Sequence, residues 1–350
     1  MPITDTLDST SPSPEPSLIA SLPKANLHVH AEADARLARL LARRTGAPSP
    51  DMTALLAATL ALPPGMARLA QMFADNPSTT GAQQSAPENI IAHFEDLLEE
   101  DAREGAILVE VRFGRPPISL CAVLPLFREA ERRVQARHPR FRAELLAMLQ
   151  LGWPRAELET KIEDCVRAAR VGLAGVDFIP APYDREADWT DAYRWAARLA
   201  DAGLGITAHA GEFATANLAA AIKMPGLTRL GHATYAVRDP RLVDALCASG
   251  VTVECCPTSN VILGSASSYA EHPIRQFATH GIPVTINSDD PIHLCTTIGL
   301  EYAAMAATDI APSDLLSFTR NAVCASFTSD ERRAGLLAEV EGWDNRPGCK

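Results

Sequence analysis

The chain has 350 residues, 47% hydrophobic and 21% charged, with a formal net charge of −11 and a mean hydropathy of −0.02. Such a composition supplies the apolar surface for a sizeable core and marks a globular chain, while the acidic balance, with scarce Lys and scattered Arg, argues against a nucleic-acid partner. The eight cysteines show no CxxC pair or regular spacing, so neither a zinc ribbon nor a disulfide framework is implied and a reducing, cytoplasmic location is expected.

Residues 1–17 are rich in Ser, Pro and Thr and are read as a disordered tail, because so little apolar side chain cannot repay the entropy of ordering. No basic stretch followed by an apolar run marks a secretory leader. From residue 18 to 350 a single domain is expected. Short apolar runs at 25–30, 107–113, 143–149, 176–179, 206–209, 228–232, 251–255 and 284–288 alternate with Ala- and Arg-rich helical stretches. This is the rhythm of a parallel sheet covered by helices. Eight such strands fit a (β/α)8 TIM barrel, which runs to this length as one domain. The segment 34–90, between the first two strands, is rich in Ala, Leu and Pro and longer than one crossover helix needs; a helical excursion covering the barrel mouth and the active site is expected there. The longest uncharged stretch, 52–67, is broken by Pro63, Pro64 and Gly65 and is too short to span a bilayer, so the chain is expected to be soluble, with no membrane partner.

His28 and His30 end the first strand two residues apart, and residues at that spacing point the same way, so both imidazoles can face one metal. An HxH pair taken alone has a structural reading as well. His209 closes the fifth strand, His232 the sixth, and Asp289 with Asp290 the eighth. All fall at C-terminal strand ends, the face that carries catalytic residues in barrels of this type. Three imidazoles and one carboxylate suit Zn²⁺, which acidifies a bound water enough for hydrolysis near neutral pH. A rival barrel chemistry uses two metals bridged by a carboxylated lysine at the end of the fourth strand. The lysines here are Lys24, Lys161, Lys223 and Lys350, none of them at that place, so one zinc per chain is expected.

With these residues in this order, the chain resembles the adenosine deaminase family. The resemblance rests on Leu22-Pro23-Lys24-Ala25-Asn26-Leu27-His28-Val29-His30, His209-Ala210-Gly211-Glu212, Leu230-Gly231-His232, Cys256-Pro257-Thr258-Ser259-Asn260 and Ser288-Asp289-Asp290-Pro291, with 104–113 similar to the family's second-strand segment. It implies a metal-dependent hydrolase barrel in which His28, His30, His209 and Asp289 are the zinc ligands. It further implies that His232 orients and electrostatically assists the attacking water, and that Glu212 protonates the ring nitrogen beside the amino-bearing carbon. Asp290 then bonds the imidazole side of the purine, with Gly211 counted among the substrate-binding residues. The chemistry agrees: attack on an aromatic C–N carbon succeeds only if the ring nitrogen takes a proton as electrons move onto it, and Glu212 can give one if its surroundings keep it protonated. A solvated loop carboxylate is the bland alternative for Glu212.

Two departures bear on substrate. Pro180 falls where the family has a glycine whose backbone N–H donates to a purine ring nitrogen, and proline has no N–H; the following 181–186 looks longer than the usual turn, so a neighbouring donor can replace the lost one. Ala31-Glu32-Ala33 stands where the family has an acidic residue and a glycine, and Glu32 either meets a sugar hydroxyl, excludes a sugar, or pairs with an Arg. Met72 and Phe73 are read as core or as an apolar lid, Cys255 and Cys256 as core and wall, His93, His138, His272 and His280 as surface or packing residues, and His293 as a residue that can line the pocket. The expected function is zinc-dependent deamination of an adenosine-like nucleoside, releasing ammonia, with water and a small-molecule substrate as partners. A different amino-purine base, modified nucleoside or related heterocycle is the alternative, and a non-catalytic binding protein on the same scaffold the weaker one. Oligomeric state is not readable from the sequence.

Overall fold

Eight runs dominated by Val, Ile, Leu and Ala form strands because both faces of each are covered, as parallel strands require. They are β1 (Lys24–His30), β2 (Ala106–Phe113), β3 (Arg142–Gln150), β4 (Gly175–Ile179), β5 (Gly205–Ala210), β6 (Leu227–His232), β7 (Thr252–Cys255) and β8 (Val284–Ile286). The computed structural model describes residues 16–31, 34–74 and 79–344; Glu32 and residues 1–15 of the segment read as a tail lie outside them. The strands pair in parallel in chain order, β1 to β8, and the ring closes between β8 and β1 through a bridge from Val29 to Asp289. The expected (β/α)8 TIM barrel is the observed architecture.

The observed strand ends fall within two residues of the expected ones. β8 stops at Ile286 because Asn287 turns its side chain into the ladder: its Oδ1 accepts from the Leu27 N–H at 2.9 Å, while its Nδ2 donates to the Cys255 carbonyl at 3.0 Å. Outside the barrel, helices bury apolar stripes against the strands in one continuous core. Phe94 and Phe127 meet there edge to face at 5.0 Å.

Between β1 and β2 run α1 (Asp34–Thr45), α2 (Met52–Leu60), α3 (Met66–Ala74), α4 (Gly81–Ser85) and α5 (Pro87–Arg103). Asp51 caps α2 and Thr80 caps α4 with a reciprocal bond to Gln83, the side-chain oxygens satisfying otherwise orphaned N–H groups. The chain entering α3 is tied to the far side of the barrel: Gly65 N–H donates to the Leu263 carbonyl at 2.7 Å, and the Arg68 guanidinium donates to the Ile262 carbonyl. Among the described residues no helix is long and apolar enough to cross a membrane.

The barrel interior is ionic where barrels of this type are dominated by branched apolar residues. Glu110, Arg112, Asp177, Arg229 and Glu254 are all fully buried. Arg112 pairs with Asp177 at 3.1 Å and with Glu254, and Arg229 pairs with Glu110 and Glu254, both at 2.7 Å. Charges so far from water persist only when paired, and the two guanidinium groups bridge the three carboxylates.

Candidate active site

His28 and His30 lie on one side of β1, and His209 reaches them from β5. The His28 Nε2 is 3.0 Å from the His209 Nε2 and 3.3 Å from the His30 Nε2. Asp289, carried past the end of β8, places its Oδ1 3.2 Å from the His30 Nε2 and 3.6 Å from the His28 Nε2. Ligand atoms about 2.0–2.1 Å from a tetrahedral zinc lie about 3.3–3.4 Å apart, so this donor set has the spacing and the chemistry for that ion. The outer nitrogens are steered as well: the His28 Nδ1 is 3.0 Å from Glu254 Oε2, and the His209 Nδ1 is 3.1 Å from Asp177 Oδ1. For His209 such a carboxylate fixes the tautomer that leaves Nε2 free to coordinate, whereas the His28 Nδ1 is shared between Glu254 and the Arg112 guanidinium, 2.8 Å away.

His232 and Asp289 adopt left-handed backbone, with φ of 63° and 60°. Non-glycine residues accept that strain rarely, and it clusters at functional sites. His232 turns its Nε2 to within 3.7 Å of Glu212 Oε2. Glu212 is buried, and burial followed by the nearby Asp289 charge raises its carboxyl well above the usual range. The solvated-loop alternative does not hold.

His30, His209, Glu212, His232 and Asp289 share one cavity of about 760 Å³ with Asp290, Pro180 and a wall from the β1–β2 segment that includes Met66, Leu69, Met72 and Phe73, and His28 lies buried behind them. Gly211 is not on the cavity wall; its φ of 77° and the Leu218 side chain, 2.6 Å from where a Cβ would sit, account for the glycine. Glu32 falls outside the described residues, and Pro180 directly follows β4. Cys255 is core and Cys256 is buried close to His28 and His232. His93 corrects its reading as a surface or packing residue: it lines the cavity, and burial lowers its imidazole to about 4. His293 is buried, with its Nδ1 3.9 Å from Asp290 Oδ1.

Several residues carry roles that the sequence did not assign. Tyr183, in the longer segment after Pro180, lines the cavity, and its phenol is raised well above its usual value by burial and by the neighbouring Glu212. Asn260 donates to the His232 Nδ1 at 3.1 Å and is itself bonded to His272 at 3.0 Å. Asp177, Arg112 and Glu254 had a usable signal, since charged residues two apart on an otherwise apolar strand, such as Glu110 and Arg112, must point into the barrel together.

The family model described as Adenosine deaminase matches residues 23–343. An adenosine deaminase of Shewanella loihica is 40% identical over 143 residues, covering 40% of this chain and 43% of that protein. An adenine deaminase of Rhizobium johnstonii is 40% identical over 142 residues, covering 40% and 44%. The matched segment thus spans less than half the length of these relatives. The solved structure of adenine deaminase from Arthrobacter aurescens matches with a TM-score of 0.74 at 22% identity, covering 93% of this chain and 100% of that one. With the fold, the converging histidines and a family match that runs almost from β1 to the last helix, the chain belongs to the adenosine deaminase family.

Proposed function

We propose that the chain is a zinc-dependent aminohydrolase that removes the exocyclic amino group of an adenosine-like amino-purine as ammonia. The observation that carries this reading is a buried Glu212 carboxyl that shares one cavity with His232, His30, His209 and Asp289, where His28 converges on the other two histidines. Bound at His28, His30, His209 and Asp289, zinc supplies an acidified water at neutral pH. Glu212 gives its proton to the ring nitrogen next to the amino-bearing carbon, so that the carbon can accept the attacking oxygen. His232 orients that oxygen, and Asp290 hydrogen-bonds the imidazole side of the purine. The two protons of water finish on the leaving ammonia and on Glu212, which restores the acid. A cytoplasmic location fits the seven cysteines among the described residues, all of which are free.

A second reading, in which the substrate is a different amino-purine base or a modified nucleoside, is favoured by Pro180 and Tyr183. Pro180 stands on the cavity wall with no N–H to give, while Tyr183 brings a buried phenol to the same cavity. The test is ammonia release by the purified, zinc-loaded protein from adenosine, 2′-deoxyadenosine, adenine and N6- or sugar-modified analogues. Turnover of at least one supports the aminohydrolase and ranks the two readings; no release from any of them, at about one zinc per chain, overturns it.

A further inference from the structure

We infer that Asn260 and His272 are positioning residues that lock His232 in its neutral form protonated on Nε2, so that this ring meets the reacting oxygen as a hydrogen-bond donor and not as its base. The part concerning the reacting oxygen rests on the proposed aminohydrolase activity; the protonation of the ring does not.

The direction of every bond in the chain follows from one backbone amide. The Ile274 N–H donates to the His272 Nδ1 at 3.2 Å. A main-chain N–H can only donate, so that nitrogen holds a lone pair and the His272 proton sits on Nε2. The His272 Nε2 lies 3.0 Å from Asn260 Oδ1, which settles the orientation of the Asn260 amide, an assignment that otherwise depends on the surrounding network. Its nitrogen then donates to the His232 Nδ1 at 3.1 Å. An Nδ1 that accepts leaves the proton of a neutral imidazole on Nε2, the nitrogen that faces Glu212 at 3.7 Å.

The reverse order fails at both ends. A proton on the His232 Nδ1 would point at an N–H of Asn260, and turning that amide over would require His272 to accept on Nε2 while Ile274 already donates to its Nδ1. Asn260, His272 and His232 are 0%, 4% and 1% exposed, so bulk water offers no substitute partner for any of them. If packing were all that these positions needed, apolar side chains would serve without the cost of burying polar groups.

The test uses zinc-loaded protein labelled with ¹⁵N at histidine and long-range ¹H–¹⁵N correlation spectra. The His232 signals are identified by their loss in His232→Gln. Wild type is expected to show a bare Nδ1 and a protonated Nε2 at His232. In Asn260→Asp a carboxylate accepts from both rings, which moves the His232 proton to Nδ1; kcat should then fall roughly 10²–10⁴-fold, the scale seen when a catalytic imidazole is held in the wrong tautomer or a proton-transfer partner is lost, with KM and zinc content little changed. A wild-type His232 protonated on Nδ1, or on both nitrogens, overturns the inference whether or not the variant folds. So does a variant whose proton moves while kcat stays the same. A protonated Nε2 in a protein that deaminates nothing would count against the proposed activity and leave the assignment standing.

Discussion

The His209 Nδ1 on β5 lies 2.9 Å from Asp177 Oδ2 on β4. Asp177 is held in turn by Arg112, which also pairs with Glu254, the partner of the His28 Nδ1. One buried guanidinium therefore sits behind two of the proposed ligands, and their ring orientations are set by the same ionic cluster.

Replacing Asp177 by Asn keeps an acceptor for His209 but removes the charge. Loss of such a partner typically weakens metal binding about 10–100-fold, and competition against a chelator of known affinity measures it. An unchanged zinc affinity would show that the Asp177 charge does not tune the site.

Glu212→Gln preserves shape and removes the proton donor. Zinc content should stay at about one per chain while turnover falls roughly 10²–10⁴-fold. Rates compared at equal metal content decide the matter, and near-normal turnover would remove Glu212 from the mechanism.

Pro180→Gly restores a backbone N–H at the end of β4. If a purine acceptor is left unpaired there in the parent protein, the cost is about 1–3 kcal/mol, and kcat/KM for adenosine should rise about 5- to 150-fold in the variant. The companion change Tyr183→Phe asks whether the phenol already fills that role: a fall in kcat/KM for adenosine, lost with a 3-deaza analogue, would assign the contact to Tyr183. Should Pro180→Gly leave adenosine unimproved while both proteins respond alike to the 3-deaza change, the missing donor has no bearing on substrate choice.

Asp101, on α5, is buried and accepts from the Asn26 side chain at 3.0 Å. Burial pushes its carboxyl up to about 7, against about 3.9 in an unfolded chain. Between those limits the fold keeps a proton that the unfolded chain has lost. The stabilising contribution is therefore complete below about pH 4 and is lost as pH rises through about 7. Within that window one such group costs about 1.4 kcal/mol per pH unit. Asp101→Asn is neutral throughout and should flatten the slope, which urea midpoints at about pH 5 and about pH 7 with zinc in excess will register. Parallel slopes for the two proteins would mean that Asp101 is ionised in the fold.

The barrel was legible because its strands are short apolar runs separated by helical stretches, and the convergence of His28, His30, His209 and Asp289 because residues at C-terminal strand ends have only one place to meet. Beyond that the sequence ran out for reasons that differ by residue. His272 comes to Asn260 through the turn before the helix Ile274–Thr279, a path that no spacing rule encodes. Tyr183 depends on how the chain leaves β4 after Pro180, where neither helical nor strand periodicity applies. Asp177, Arg112 and Glu254 were readable from their alternation with apolar neighbours, yet charged residues inside a strand are ordinarily taken for a solvated face, and the ion pairs that make them tenable belong to different strands.

The join between the last strand and the first runs through three of the proposed ligands: the His30 N–H donates to the Asp289 carbonyl at 2.9 Å, and the Asp289 N–H to the His28 carbonyl at 2.8 Å. The hoop of strands is thus fastened at a clasp made from the residues proposed to grip the ion. On the proposed zinc reading, holding the metal and keeping the hoop shut would be a single equilibrium, so a substitution that slackens the clasp would loosen the metal without touching a ligand atom.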